Sequence, residues 1–483
     1  MYVLGIDIGT QGVRGLAVDK YGCVIAGHST PFAEMNISTI ENHKEQDAHI
    51  WWEATLNTIN EIVNGLIKKN IDPEAIIAIA LDGTSGTIVP LNHLYSPLCN
   101  GLMYNDGRSA EEAVIVQEKG FEIALKLGYR FNSSYALPKI LWIKKHRPDI
   151  YDKIHLIVHQ SDYIVGRLTG CYHFSDYSNA LKTGYDLIEQ KWPDFIEKDL
   201  EIELKKLPTV LSPGTKIGYI SDEAAKSTGL SIRTKVIAGA TDGYASAIAS
   251  GAVEPGDFNT SIGTTLTIKG VVNHLIKDEK GRVYCHLHPE GYWMPGGASN
   301  TGGKCLNARF DPVLFDAYNQ HVEQKTPTDI VVYPLVGKGE RFPFVQPDAE
   351  AFMIGNSRND KELYAALMEG VAYTERLSYD LLAALGCEIK DRLFITGGAV
   401  KSKEWSQIRA NVMNKTLLKP EIAEPAMGSA IIAASQTMFT DITEAAKSMV
   451  RIGETIYPQP HKVKKYNEKY RIFLEECHQR GYI

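Results

Sequence analysis

Three short apolar runs open the chain, at residues 3–8, 13–18 and 23–27, with glycine-containing turns at 9–12 and 19–22 between them. Runs of this length, punctuated by turn formers, predict a β-meander. Between residues 47 and 70 the rhythm changes. Trp52, Leu56, Ile59, Val63 and Leu66 recur at helical spacing on one face, and Asp47 stands where a helix cap is needed. Residues 75–81 are continuously apolar and end in Asp82-Gly83-Thr84-Ser85-Gly86, the pattern of a buried parallel strand opening onto a polar turn.

The succession then recurs. Residues 236–240 predict a strand, 258–272 a hairpin about Gly263, 361–385 a long amphipathic helix, and 392–396 a strand running into Gly397-Gly398. The two hairpins can be laid over each other: Gly5-Ile6-Asp7-Ile8-Gly9-Thr10-Gln11 against Asn259-Thr260-Ser261-Ile262-Gly263-Thr264-Thr265, with Ile-Gly-Thr at both turns. The repetition predicts an α/β protein of two similarly built domains, 1–239 and 240–483, with functional loops at strand ends. No Pro/Ser-rich linker marks the boundary, which is set near Gly239 by the internal likeness.

Bulk properties narrow the function. A chain of 483 residues exceeds the length at which one core keeps growing, and 44% hydrophobic with 23% charged residues is an ordinary globular composition. A net charge of −7 argues against nucleic-acid or anionic-membrane binding, so an anionic ligand must be held locally. The seven cysteines are scattered singly without CxxC pairs, which predicts reduced thiols. There is no leader-like start and no run of ~18 apolar residues, so the expected location is cytoplasmic.

Candidate chemistry falls in four places. Asp7-Ile8-Gly9-Thr10-Gln11-Gly12 and Ser261-Ile262-Gly263-Thr264-Thr265 are glycine-containing hairpin turns whose backbone amides could approach phosphate, though each alone also suits a plain turn. Asp7 could hold Mg²⁺ through water. Thr396-Gly397-Gly398-Ala399 leaves room for a flat ligand or is a tight strand-to-helix turn. Asp242 follows a buried strand, where it can cap the next helix, accept a proton from an alcohol, or do both. The His-x-His pair at 286 and 288 lacks a third ligand at suggestive spacing and reads as strand-surface histidines. Trp293, beside Gly296-Gly297, could flank a nucleotide or simply pack. The Lys- and Arg-rich tail at 461–480 is interrupted by Glu468, Glu475 and Glu476 and reads as a solvated helix face.

Taken together these motifs resemble the FGGY family of carbohydrate kinases, within the actin and hexokinase superfamily. Asp7 to Thr10 resembles the family's first phosphate motif, Ser261 to Thr265 its second, and Thr396 to Ala399 its adenosine motif. Tyr104 to Arg108, Asp162 to Gly170 and Ser175 to Asn179 are similar to further signatures. The resemblance implies two ribonuclease H-like domains with a cleft between them, the first binding sugar and the second ATP. It implies Asp242 as the general base, a sugar site lined by Asp7, Ser85 and Asp242, and Thr10, Gln11, Gly263, Thr264, Gly303, Gly397 and Gly398 facing ATP with its Mg²⁺. Gln11 stands where many relatives carry Ser, but an amide can still donate a hydrogen bond. Arg14 either faces phosphate or sits on the hairpin's exposed side.

Segments 82–87, 179–182, 296–300 and 339–343 look most like the D-ribulokinases of plants and cyanobacteria, often labelled xylulokinase-like. That likeness implies phosphorylation of D-ribulose at its 5-hydroxyl. The alternatives are a D-xylulokinase and a non-catalytic sugar and ATP sensor on the same fold. The implied partners are the sugar and ATP, a homodimer is left open, and neither nucleic acid nor membrane is expected.

Overall fold

The opening runs form the expected antiparallel meander, β1 (Tyr2–Ile8), β2 (Gly12–Val18) and β3 (Val24–Pro31). Helix α1 (Ala48–Lys68) follows, capped by Asp47, whose side chain accepts from the His49 amide at 2.9 Å. Its Trp51, Ile59, Ile62 and Leu66 are fully buried, and each aliphatic among them contributes roughly 2 kcal/mol to stability. The apolar run after it becomes β4 (Ile76–Gly83), which pairs parallel with β1; β6 (Lys235–Thr241) pairs parallel with β4, and β5 (Lys216–Tyr219) closes the edge. The resulting sheet has the order β5-β6-β4-β1-β2-β3. Helix α2 (Asp242–Ser250) starts directly where β6 ends. The structure, a computed structural model, describes residues 1–32 and 40–483.

The chain forms two compact units. The first comprises Met1–Val253, His286–Gly291 and Ile422–Arg451, and the second Glu254–Cys285, Tyr292–Glu421 and Ile452–Ile483. A single cut at residue 239 would fall inside β6, whose hydrogen bonds to β4 tie it into the first sheet. The late segment belongs to the first unit because the helix Pro425–Ala434 lies on β1. A side chain at Gly5 would run into the Ala426 carbonyl there.

The second unit repeats the plan. Strands β7 (Phe258–Ile262) and β8 (Leu266–Gly270) form a hairpin, and β9 (Tyr284–Leu287) and β10 (Trp293–Ser299) extend it on the β8 side. Helices α3 (Phe315–Lys325) and α4 (Asp360–Ala384) intervene before β11 (Arg392–Thr396), which pairs parallel with β7. After α5 (Lys403–Met413) come β12 (Thr416–Pro420), parallel to β11, and β13 (Ile452–Ile456), antiparallel to β12. The order β9-β10-β8-β7-β11-β12-β13 matches the first sheet with one strand added. Each unit has its own core, around Leu4, Ile6, Leu81 and Val236 in the first and Ile262, Tyr373, Ile395 and Phe473 in the second.

Two expectations about side chains change. His286 and His288 are buried rather than on a strand surface, and burial holds the His288 imidazole down to a pKa of about 4. The C-terminal helix Pro460–Gln479 is more than a solvated face, because Val463, Tyr466, Tyr470, Phe473 and Cys477 line its buried side. Among the described residues no helix is long and apolar enough to cross a membrane.

Candidate active site

In the first unit, the parallel strands β1, β4 and β6 bring three carboxylates together at neighbouring carboxyl ends. Asp7 stands opposite Asp82 in the β1–β4 register, Ala240 opposite Asp82 in the β4–β6 register, and Asp242 opens α2 just beyond. Asp82 is fully buried and Asp7 is 5% exposed. Burial raises the pKa of Asp7, opposed by its hydrogen bond with Asp82 and the charge of Arg14 on β2. Burial also lifts Asp82 well above the carboxylate range, helped by the negative charges of Asp7 and Asp242. The Ser429 hydroxyl donates to Asp82 Oδ2 at 2.7 Å, while Asp82 Oδ1 has no hydrogen-bond partner.

The loops around this group are fixed from behind. Ser178 Oγ accepts from the Thr241 amide at 2.9 Å and donates to Asp176, which sets the strand end that carries Asp242. The turn after Asp82 is held by Gln160 Oε1, which accepts from the Thr84 amide at 3.0 Å and from its hydroxyl at 2.8 Å. Ser85 Oγ, in that turn, is buried without a partner. At the first hairpin, Gln46 Nε2 donates to the Thr10 carbonyl at 2.9 Å and the Phe32 amide donates to the Gln11 carbonyl at 2.9 Å. Thr10 is half-buried, and Gln11 and Arg14 are exposed.

In the second unit a cavity of about 490 Å³ brings Gly263, Thr264, Gly303 and Gly398 together, with Phe315, Tyr364 and Trp405 among its walls. Gly397 is outside the lining. It joins β11 to the Gly398 turn in the left-handed region, at φ 83°, packed against the Ile262 carbonyl. The cavity's far side is firm because Ser402 caps α5 by accepting from the Trp405 amide at 3.1 Å, and Trp405 Nε1 donates to the Met368 carbonyl at 3.1 Å. Trp293 is not part of this wall. It pairs with Val272 through two backbone hydrogen bonds and packs on the second core.

The N-terminal domain of the FGGY family of carbohydrate kinases matches residues 2–249, and the family's C-terminal domain matches residues 260–437. The chain belongs to this family. Its similarity to individual FGGY kinases is broad but low. The xylulose kinase of Bacillus subtilis (strain 168) is 28% identical over 98% of this chain and 96% of its own. The gluconokinase of the same organism is 27% identical over 98% and 95%. A solved structure described as a "xyloylose kinase" from Brucella ovis has a TM-score of 0.90 at 23% identity, covering 100% of this chain and 99% of that one, which shows the shared fold. The chain is therefore a two-domain sugar kinase of the FGGY fold.

Asp82, Gln160 and the aromatic cavity wall were not picked out from sequence as site residues. The pairing of Asp82 with Asp7 becomes visible only through strand register. Phe315, Tyr364 and Trp405 carry the same periodic signal as core residues.

Proposed function

We propose that this FGGY kinase transfers the γ-phosphoryl group of ATP to the terminal hydroxyl of a ketopentose. The observation that carries the proposal is the group of three carboxylates, Asp7, Asp82 and Asp242, at adjacent strand ends. Phosphoryl transfer asks the protein mainly to position the reactants, neutralise charge, and accept one proton. Asp242 takes the proton of the sugar hydroxyl as its oxygen bonds to the γ-phosphorus and the bond from that phosphorus to ADP breaks. Asp7 and Ser85 orient the sugar, a role that suits the partnerless Ser85 Oγ. Thr10 and Gln11 act on the phosphates from the first hairpin. Gly263, Thr264 and Gly303 do so from the second, while Gly397 and Gly398 give the adenosine room.

Mg²⁺ usually keeps several waters and takes one or two protein carboxylates beside substrate phosphates. Asp7, at the end of β1 beside the first hairpin turn, fits that demand as the one protein carboxylate. Among the described residues no group of three or more His, Cys, Asp or Glu is arranged as a cage of its own. When bound, the ion would neutralise charge on the phosphate oxygens.

Among acceptors, D-xylulose is favoured by the relatives' names, and the expectation of D-ribulose draws no support from them. D-ribulose stays as the second reading because of the residues at 82–87 and 339–343. The two sugars differ at one hydroxyl, so the choice rests on one or two hydrogen bonds. Sugar-dependent ADP release, measured with D-xylulose, D-ribulose, L-ribulose, glycerol and gluconate, tests both levels. We expect kcat/KM for D-xylulose to lead. A lead of tenfold or more for D-ribulose reverses the order of the two readings, and ATP hydrolysis indifferent to every sugar removes the kinase assignment.

A further inference from the structure

We propose that Glu340 is a positioning residue for the second hairpin turn, setting the backbone amides at 264 and 265 that receive nucleotide phosphate. The inference rests on the ATP-dependent reading above.

Glu340 is 3% exposed, and among the described residues no Lys, Arg or His side chain pairs with it. An unpaired buried carboxylate is costly unless donors surround it, and here five converge within 3.2 Å, with the Phe342 amide a sixth at 3.5 Å. Oε1 accepts from the amides of Asn300 at 2.7 Å and Arg341 at 2.9 Å. Oε2 accepts from the hydroxyls of Ser299 at 2.8 Å, Thr301 at 3.2 Å and Tyr333 at 2.9 Å. Three of these donors lie in the consecutive residues Ser299-Asn300-Thr301, and Asn300 Nδ2 adds a bond to the Gly339 carbonyl at 2.9 Å. The carboxylate therefore fastens the end of β10 to the 339–341 segment.

What β10 runs into gives this fastening its meaning. The Thr301 carbonyl accepts from the Leu266 amide at 2.8 Å, the Gly303 amide donates to the Gly263 carbonyl at 2.8 Å, and the Lys304 amide donates to the Thr264 carbonyl at 3.1 Å. Gly302 is pressed so closely on Thr265 that a Cβ there would sit 2.6 Å from the Thr265 Cα. The Gly263 and Thr264 carbonyls are thus tied to the 303–304 amides. A trans peptide sends its N–H opposite its carbonyl, so the amides of Thr264 and Thr265 point the other way. Among the described residues neither donates to a protein group. They are open donors on the turn that, with Gly263, Thr264 and Gly303, borders the cavity. A shift of Ser299–Thr301 would move these donors directly.

Glu340→Gln tests the idea gently, because the amide can turn its NH₂ toward the three hydroxyls, which can accept, and keep its oxygen toward the two backbone amides. The expected result is a rise of about tenfold in KM for ATP and in the Kd of ATP read by calorimetry. KM for the sugar should stay within twofold and the Tm within a few degrees. Ser299→Ala and Tyr333→Phe each remove one donor, should raise the ATP constants two- to fivefold, and should add little on top of Glu340→Gln. Three folded variants with ATP constants unchanged within twofold would overturn the inference, as would sugar and ATP constants rising together. The calorimetric arm does not need turnover. Wild type that binds ATP but releases no sugar-dependent ADP counts against the kinase assignment alone, while the Kd ratios still decide the role of Glu340. Wild type that does not bind ATP ends both.

Discussion

The two Ile-Gly-Thr hairpins sit at the same place in sheets of the same order, yet their neighbours differ in one chemical respect. Across the parallel pair β1–β4, Asp7 faces Asp82. At the corresponding step of the pair β7–β11, Ser261 faces Thr396. One sheet presents two carboxyls beside its turn and the other two hydroxyls. The supports differ as well: a neutral amide, Gln46, holds the first turn, and a buried carboxylate network around Glu340 stands behind the second. The loop itself has four residues between the last paired strand positions in the first hairpin and three in the second. Duplication of a fold therefore fixes where backbone amides are offered, and the side chains at the strand ends decide what is done with them. Carboxylates suit a proton acceptor and a cation, whereas hydroxyls and bare amides suit a polyanion.

Three substitutions would break or sharpen this contrast. The largest effect is expected for Asp242→Asn, which removes the proposed proton acceptor of the acidic end. Steady-state assays should show kcat down by about 10³- to 10⁴-fold with the Kd of ATP nearly unchanged. Near-normal turnover would take Asp242 out of that role. Next, Ser261→Asp gives the second end the acid of the first. A like charge beside the phosphates costs several kcal/mol, so calorimetry should find ATP binding weakened on the order of 100-fold, and unaltered binding would show that this turn does not receive phosphate.

The smallest effect asks whether burial alone marks a functional carboxyl. Glu369, on α4, is fully buried but fully engaged, accepting from the Thr328 amide and hydroxyl and from Tyr466. Burial lifts its pKa from 4.5 to about 7. A raised folded pKa means that the folded state holds a proton that the unfolded chain has released. Stability is therefore lost as pH rises from about 4.5 through about 7, by up to roughly 3 kcal/mol. Glu369→Gln should flatten that slope in denaturant titrations between pH 5 and 8 and leave kcat within twofold. A large loss of activity would mean that α4 carries more than structure.

How far the sequence already disclosed this contrast depends on whether each signal is local. Strands β1 and β2, the second hairpin, α1, α4 and β11 announce themselves through short-range periodicity and turn chemistry, and the structure has them within a residue or two of the expected bounds, whereas β3 runs four residues past the expected end at 27. Gly263 and Gly398 stand out because glycine at a strand end is a visible mark, whereas Thr264 and Gly303 come from the family resemblance; all four line one cavity. Asp82 was hidden because an acid after an apolar run looks like any turn former. Its meaning comes from register with a strand far away in sequence. Glu340 and Gln46 were hidden for the same reason, since the groups they hold, Ser299–Thr301 and the Thr10 carbonyl, lie on other elements that no spacing rule reaches. The unit boundary was displaced because the helix Pro425–Ala434 docks on β1 without any compositional break to announce it.

That docking has a consequence for how the chain comes into being. Strands β1 to β6 leave the ribosome early, but the helix that covers Gly5 is translated only after the whole segment Tyr292–Glu421 has been made. Domains ordinarily fold in order as they are synthesised. Here the nascent first sheet must wait with one face unfinished until nearly all of the second unit exists. Fragments ending near Val253 should consequently behave as incomplete proteins, and separating the two units for expression requires supplying residues 286–291 and 422–451 to the first, by co-expression or by a rearranged gene.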